Sequence, residues 1–205
     1  MIHLTYTNWE LKWFFKGTIP KEVEQWRDEK KMEVRKPRTD TYLLFQNCID
    51  LGVKLSRGEL QIKYCRTKQD FAPSNFSHNG IFELWSKCSL PLRDQTSMIF
   101  DGVRGSQLSV HKERYAVRYR IDLKEKTIEA SHDKVDQGVF VEITKLNVMN
   151  SEWWTLGFDA LDSDLDNQTR ILRFGVRALL IDFHVPRLTK ENSYSYPKWL
   201  YCISR

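Results

Sequence analysis

At 205 residues, with 41% hydrophobic and 13% aromatic side chains, the chain can bury a sizeable core, which excludes wholesale disorder and points to a single domain over 1–205. Thirty-two basic against 27 acidic residues leave a formal charge of +5. That excess favours anionic partners without identifying one, and because the charges are interleaved, as in Glu29-Lys30-Lys31-Met32-Glu33-Val34-Arg35-Lys36, they read as a solvated face or loop and leave nucleic acid a minor option.

Cys48, Cys65, Cys88 and Cys202 form no Cys-x-x-Cys pair and have no histidine at a ligand interval, which argues against a zinc or redox site. No apolar run reaches the ~18 residues of a membrane span. The first twenty residues carry Glu10, Lys12 and Lys16 and no cleavage pattern, so a signal peptide is not expected and the expected location is cytoplasmic.

In chain order, Trp9-Glu10-Leu11-Lys12-Trp13-Phe14-Phe15 opens the fold as a strand with Trp9, Leu11, Trp13 and Phe15 on one face and Asn8, Glu10 and Lys12 on the other. Gly17-Thr18-Ile19-Pro20 then stops the strand and starts a short helix that buries Val23 and Trp26. Residues 29–40, charged and holding Pro37, suit a connection or an edge strand, and Thr41 to Gln46 reads as strand. A hairpin follows, with Gly52-Val53-Lys54-Leu55 turning at Ser56-Arg57-Gly58-Glu59 into Leu60-Gln61-Ile62-Lys63-Tyr64-Cys65.

Residues 66–80 have loop composition, and Phe82 to Cys88 alternates again, with Glu83 and Lys87 opposite Phe82 and Leu84. Within 90–112, Gly102 and Gly105 flank Arg104, which suits a flexible basic loop and an ordinary surface loop alike. Tyr115 to Asp122 is a strand with Arg118, Arg120 and Asp122 on its polar face, followed by a turn near Lys124 to Lys126 and a strand at Thr127 to Ala130. Val139 to Leu146 is expected to be the last strand. It ends a strand core over about 3–148 and leaves a helical region over about 151–205.

In that region Glu152 to Phe158 reads as a short helix or packed loop, and Leu165 to Phe183 as the longest helix. Asp162, Asp164 and Asp166 complement the helix start; Asn167 and Arg173 exclude a calcium loop there. The tail from Tyr194 to Arg205 is able to dock on the body.

The polar faces collect Glu10, Lys12, Lys54, Lys63, Glu83, Lys87, Arg118, Arg120 and Glu142. They fit the wet side of an open antiparallel sheet, or the inside of a closed one whose apolar faces turn outward under helices and loops.

The order of these strands resembles the CYTH superfamily of triphosphate tunnel metalloenzymes. Asn8-Trp9-Glu10-Leu11-Lys12 is similar to that family's opening Glu-x-Glu-x-Lys strand, with Asn8 replacing the first glutamate. Lys54 and Lys63 resemble its hairpin basic residues, and Arg118 and Arg120 its arginine strand. Glu142 resembles the first glutamate of its late Glu-x-Glu pair, while Thr144 departs from the second.

The resemblance, over roughly residues 3–183, implies an α+β fold built on an antiparallel eight-stranded β-tunnel with covering helices and a long C-terminal helix. It implies Lys12, Lys54, Lys63, Arg118 and Arg120 as polyanion-binding residues, Glu10 and Glu142 as ligands of Mg²⁺ or Mn²⁺, and a polyphosphate or nucleotide as partner. If the chain is an enzyme, the resemblance makes it a metal-dependent triphosphatase-like phosphohydrolase. Three other readings stay open: a catalytically inactive binding protein, a protein-interaction module, and a lipocalin-like barrel with the Trp9, Leu11 and Trp13 face inside.

Overall fold

The computed structural model describes residues 3–92 and 106–205, so the Arg104 loop lies outside the described residues. Nine strands are described: β1 (His3–Lys16), β2 (Glu33–Leu44), β3 (Leu51–Ser56), β4 (Glu59–Phe71), β5 (Gly80–Pro91), β6 (Ser106–Asp122), β7 (Thr127–Ser131), β8 (Gly138–Val148) and β9 (Ser151–Leu161). All pairings are antiparallel in the order β2-β3-β4-β5-β1-β9-β8-β6, and β2 pairs with β6 to close eight strands into a barrel. β6 is 17 residues long, so the edge that takes β2 as far as Ala116 takes β7 from Arg118 onward, and β7 is an appendage at the rim.

The described helices are α1 (Lys21–Glu29), α2 (Leu165–Leu179) and α3 (Tyr196–Ile203). None is long and apolar enough to cross a membrane.

Alternation decides which face goes where. Trp9, Leu11, Trp13, Val139, Val141, Ile143, Leu156 and Phe158 all point outward and pack with Ile171, Leu172 and Val176 of α2 in the main core. Gly175 lets the helix come this close, because a Cβ there would lie 2.9 Å from Val139 Cγ1 and 3.0 Å from Ile121 Cδ1. The Trp9 face is therefore outside the barrel, which overturns the lipocalin-like reading.

Three expectations are corrected. The helical region does not begin at 151: Ser151–Leu161 is β9, the strand between β1 and β8. Its run Trp154-Thr155-Leu156-Gly157-Phe158 is buried on both faces, so the two-residue period that marks a half-exposed strand is absent. Residues 66–71 continue β4. Pro37 lies within β2, in the part that pairs with β6 alone and at the register shift between Arg35 and Arg38, as the edge-strand reading allows. Among the described residues the outside is not wrapped throughout either. Helix α2 lies on β1, β8 and β9, while Val53, Leu55, Leu60 and Ile62 on the hairpin stay half-buried and Tyr64 is 50% exposed.

The tail does not dock on the outside. At one end of the barrel the inward faces turn apolar, at Phe14, Tyr42, Val110, Leu146 and Val148, and Trp199 and Leu200 of α3 pack among them as a second core. Phe14 stacks on Trp199 at 4.9 Å and meets Tyr196 edge-on at 5.1 Å. Gly52 makes room for this plug, since a Cβ there would lie 3.0 Å from Pro197 Cγ. Ser195 caps α3 by accepting a hydrogen bond from Lys198 N, with Pro197 in the first turn.

Candidate functional site: an ionic tunnel

Inside the barrel, between the open rim and the α3 plug, lies a cavity of about 740 Å³. Nine basic and five acidic side chains line it among the described residues, and Asp40 is fully buried beside three of the basic ones. The residues group into three clusters, each set by cross-strand register.

The first joins β1, β4 and β9. Glu10 faces Asp159 across the β1–β9 ladder, and Lys12 faces Gly157. Gly157 leaves space for the Lys12 stem, because a Cβ there would lie 3.1 Å from Lys12 Cγ. Lys12 Nζ donates to Glu10 Oε2 at 2.9 Å and to Asp159 Oδ1 at 2.7 Å, and Lys63 Nζ donates to both Glu10 oxygens at 3.0 and 2.9 Å.

Burial works against the charged form of Glu10, but the Lys12 and Lys63 ammonium groups outweigh it and hold its carboxyl down at about 2. Burial also opposes the charge on Lys12, yet Asp159 and Glu10 keep its pKa well above the ordinary lysine value. Asp159 is pushed up by burial and by the neighbouring Glu10, against the pull of Lys12. Lys63 Nζ also sits 4.6 Å from the ring centroid of the buried Trp85.

The second cluster surrounds Asp40. Lys54 Nζ lies 2.7 Å and Lys112 Nζ 3.0 Å from Oδ2, and Arg38 Nε lies 3.1 Å from Oδ1 without the angle of a hydrogen bond. Ser56 Oγ donates to Oδ1 at 2.6 Å. Burial would raise the Asp40 carboxyl, but Lys112, Lys54 and Arg38 drive it far below the usual carboxylate range. Three cations share one carboxylate, so burial and mutual repulsion lower Lys54 well below the ordinary value. Burial brings Lys112 down to about 8 despite Asp40. Lys112 also donates to Tyr42 Oη at 2.7 Å.

The third cluster is Glu142 with Arg114, whose Nε donates at 2.6 Å and whose Nη2 forms a second contact. The Thr144 hydroxyl donates to Glu142 Oε1 at 2.9 Å. Burial opposes the Glu142 charge, but Arg114 and Lys12 lower its pKa all the same.

A closed antiparallel barrel of eight strands thus encloses the ionic faces that the sequence resemblance placed together. The chain folds as a closed, eight-stranded antiparallel β-tunnel.

No protein-family model matches the chain, and no curated protein matches it. The chain is similar to solved structures of the PH1012 protein from Pyrococcus horikoshii OT3 (14% identity, 92% of this chain and 98% of that one, TM-score 0.44). It is also similar to the mimivirus capping enzyme triphosphatase (12%, 86% and 90%, TM-score 0.47). A third is the RNA triphosphatase Pct1 of S. pombe (10%, 87% and 85%, TM-score 0.43).

Of the residues expected to line the tunnel, Glu10, Lys12, Lys54, Lys63, Arg118 and Glu142 do so. Arg120 does not. It shares the parity of Arg118, but at this height β6 pairs with β7 beyond the barrel rim, and Arg120 is exposed. Asp159, Arg38, Asp40, Lys112 and Arg114 were not anticipated. Arg114 and Lys112 have the parity of Arg118 on the same strand, and this was the signal available for them. Arg38 and Asp40 lie in a segment that reads as a connection or an edge strand, and Asp159 in the region that reads as helical.

The carboxylates do not fit a divalent metal. Magnesium needs several hard oxygen donors with free lone pairs in near-octahedral array. Both Glu10 oxygens accept from ammonium groups, and Glu142 is held by Arg114 and Thr144. Asn8 and Thr144, next to Glu10 and Glu142 on the same inward faces, are neutral, and the described residues bring no three His, Cys, Asp or Glu side chains together as a metal site.

Proposed function

We propose that the chain binds a phosphorylated or otherwise polyanionic small molecule, such as a polyphosphate or a nucleotide, within the tunnel. The observation that carries this reading is the excess of basic side chains around one enclosed cavity of about 740 Å³, a size suited to a small-molecule ligand. In this reading Lys12, Lys54, Lys63 and Arg118 form the cradle together with Arg38, Lys112 and Arg114.

Low dielectric strengthens each contact, and the cations are already fixed by Asp40, Glu10 and Glu142, so little ordering remains to oppose binding. Binding is favoured over metal-dependent triphosphate hydrolysis, because Glu10 and Glu142 are committed to basic partners.

Calorimetric titration with tripolyphosphate tests the proposal. Saturable binding at a one-to-one ratio is expected, weakened roughly tenfold or more in Lys63→Met, since hydrogen bonds to charged groups contribute ~1.5–3 kcal/mol each. Absence of heat at millimolar ligand would overturn it. Phosphate release in Mg²⁺ or Mn²⁺, abolished by Glu10→Gln, would instead establish the hydrolase.

A further inference from the structure

We infer that the tunnel takes its polyanion without a divalent cation, and that the Lys12 ammonium holds the place between Glu10 and Asp159 that a shared metal ion would otherwise occupy. The inference rests on the polyanion reading and deepens it.

Glu10 and Asp159 are cross-strand partners, so their carboxylates converge on one spot, and Lys12 Nζ lies at that spot, 2.9 Å from one and 2.7 Å from the other. The space for it is built in, because Gly157, its own cross-strand partner, leaves room for the lysine stem. Lys63 donates to both Glu10 oxygens at 3.0 and 2.9 Å, so with Lys12 three of that carboxylate's about four lone-pair sites are taken.

A metal ion entering here would have to expel a buried ammonium that is hydrogen-bonded to both carboxylates. It would then find only two negative residues, Asn8 and Thr144 being neutral. The cations around Asp40 meanwhile outnumber its single charge three to one, so the tunnel holds positive charge for a polyanion from its own side chains. Bringing the polyanion as a magnesium complex would lower its charge and weaken that attraction.

The test is calorimetry with tripolyphosphate in EDTA and again in excess Mg²⁺ or Mn²⁺, alongside melting curves with Mn²⁺ alone. The affinity in EDTA is expected to equal or exceed that in Mg²⁺, and Mn²⁺ alone is expected to leave the wild-type melting temperature unchanged. Lys12→Gln should release the two carboxylates and acquire a Mn²⁺-dependent rise in melting temperature.

Tenfold or tighter binding with metal, or a Mn²⁺ shift in the wild type as large as in Lys12→Gln, would overturn the inference. If tripolyphosphate fails to bind under every condition, the polyanion reading falls, while the Mn²⁺ comparison still decides the role of Lys12. Should Lys12→Gln not fold, the wild-type measurements with and without metal decide alone.

Discussion

Lys112 Nζ sits 3.8 Å from the centroid of the Tyr196 ring, so the innermost cation of the tunnel rests directly on the plug formed by the C-terminal helix. Tyr42 extends the contact, stacking on Tyr196 at 5.9 Å and accepting the Lys112 hydrogen bond at 2.7 Å. The tail is therefore part of the tunnel, and loss of the plug is felt at the site.

Trp199 anchors that plug at 1% exposure. Trp199→Ala should destabilise the fold by ~3–5 kcal/mol, the usual cost of removing a buried aromatic, as measured by urea unfolding. It should also weaken tripolyphosphate binding, because Tyr196 and Lys112 lose their support. Unchanged stability would mean that the helix is not seated in the barrel.

Arg118 and Arg120 separate tunnel from rim. Both belong to one face of β6, yet only Arg118 lines the cavity. Arg118→Ala should weaken tripolyphosphate binding roughly tenfold, and Arg120→Ala should leave it within about twofold, read by titration calorimetry. Equal losses would place the ligand outside the barrel.

Binding should weaken as pH rises. Lys112 is lowered to about 8 by burial, opposed by Asp40, with Arg38 lowering it further and Glu142 raising it; Lys54, which shares Asp40 Oδ2 with it, and Tyr42 and Tyr196 also face it. Above that pH the ammonium loses its charge and one attraction to the polyanion disappears. Affinity measured from pH 7 to 9 should fall through a step near 8 that Lys112→Met abolishes; a flat profile contradicts the assignment.

Acid should unfold the protein through the tunnel. The Glu10 carboxyl is held at about 2, below its ordinary 4.5, so its ionised form is favoured by folding. That stability is fully present above the unfolded value and is lost as pH falls through the folded one. Urea midpoints should therefore drop between about pH 4.5 and 2. Glu10→Gln should be less stable at pH 7 and show a shallower acid slope.

The strands that alternate cleanly were legible from sequence. In β1, Trp9, Leu11 and Trp13 against Glu10 and Lys12 separate an apolar face from a charged one, and the hairpin around Arg57-Gly58 has the left-handed turn its residues suggest, at φ of 53° and 73°. Chain closure was suggested by the ionic faces but could not be read from any one strand, since it depends on β2 meeting β6. β9 was missed because both of its faces are buried and its alternation vanishes. The plug was missed because Phe14, Val110 and Leu146 extend the ionic faces of their strands with apolar side chains, and this change of character signifies a stopper only once the barrel is known to be closed.

The claim on which the account depends is that these lysines face an enclosed space that receives a polyanion. Lysine footprinting with an amine-reactive reagent, with and without tripolyphosphate, tests it most directly. The account predicts that Lys54 and Lys63 are strongly protected by the ligand, while Lys21, exposed at the start of α1, reacts equally in both. Labelling of Lys54 and Lys63 that is indifferent to tripolyphosphate, in a sample that keeps its fold, would contradict it.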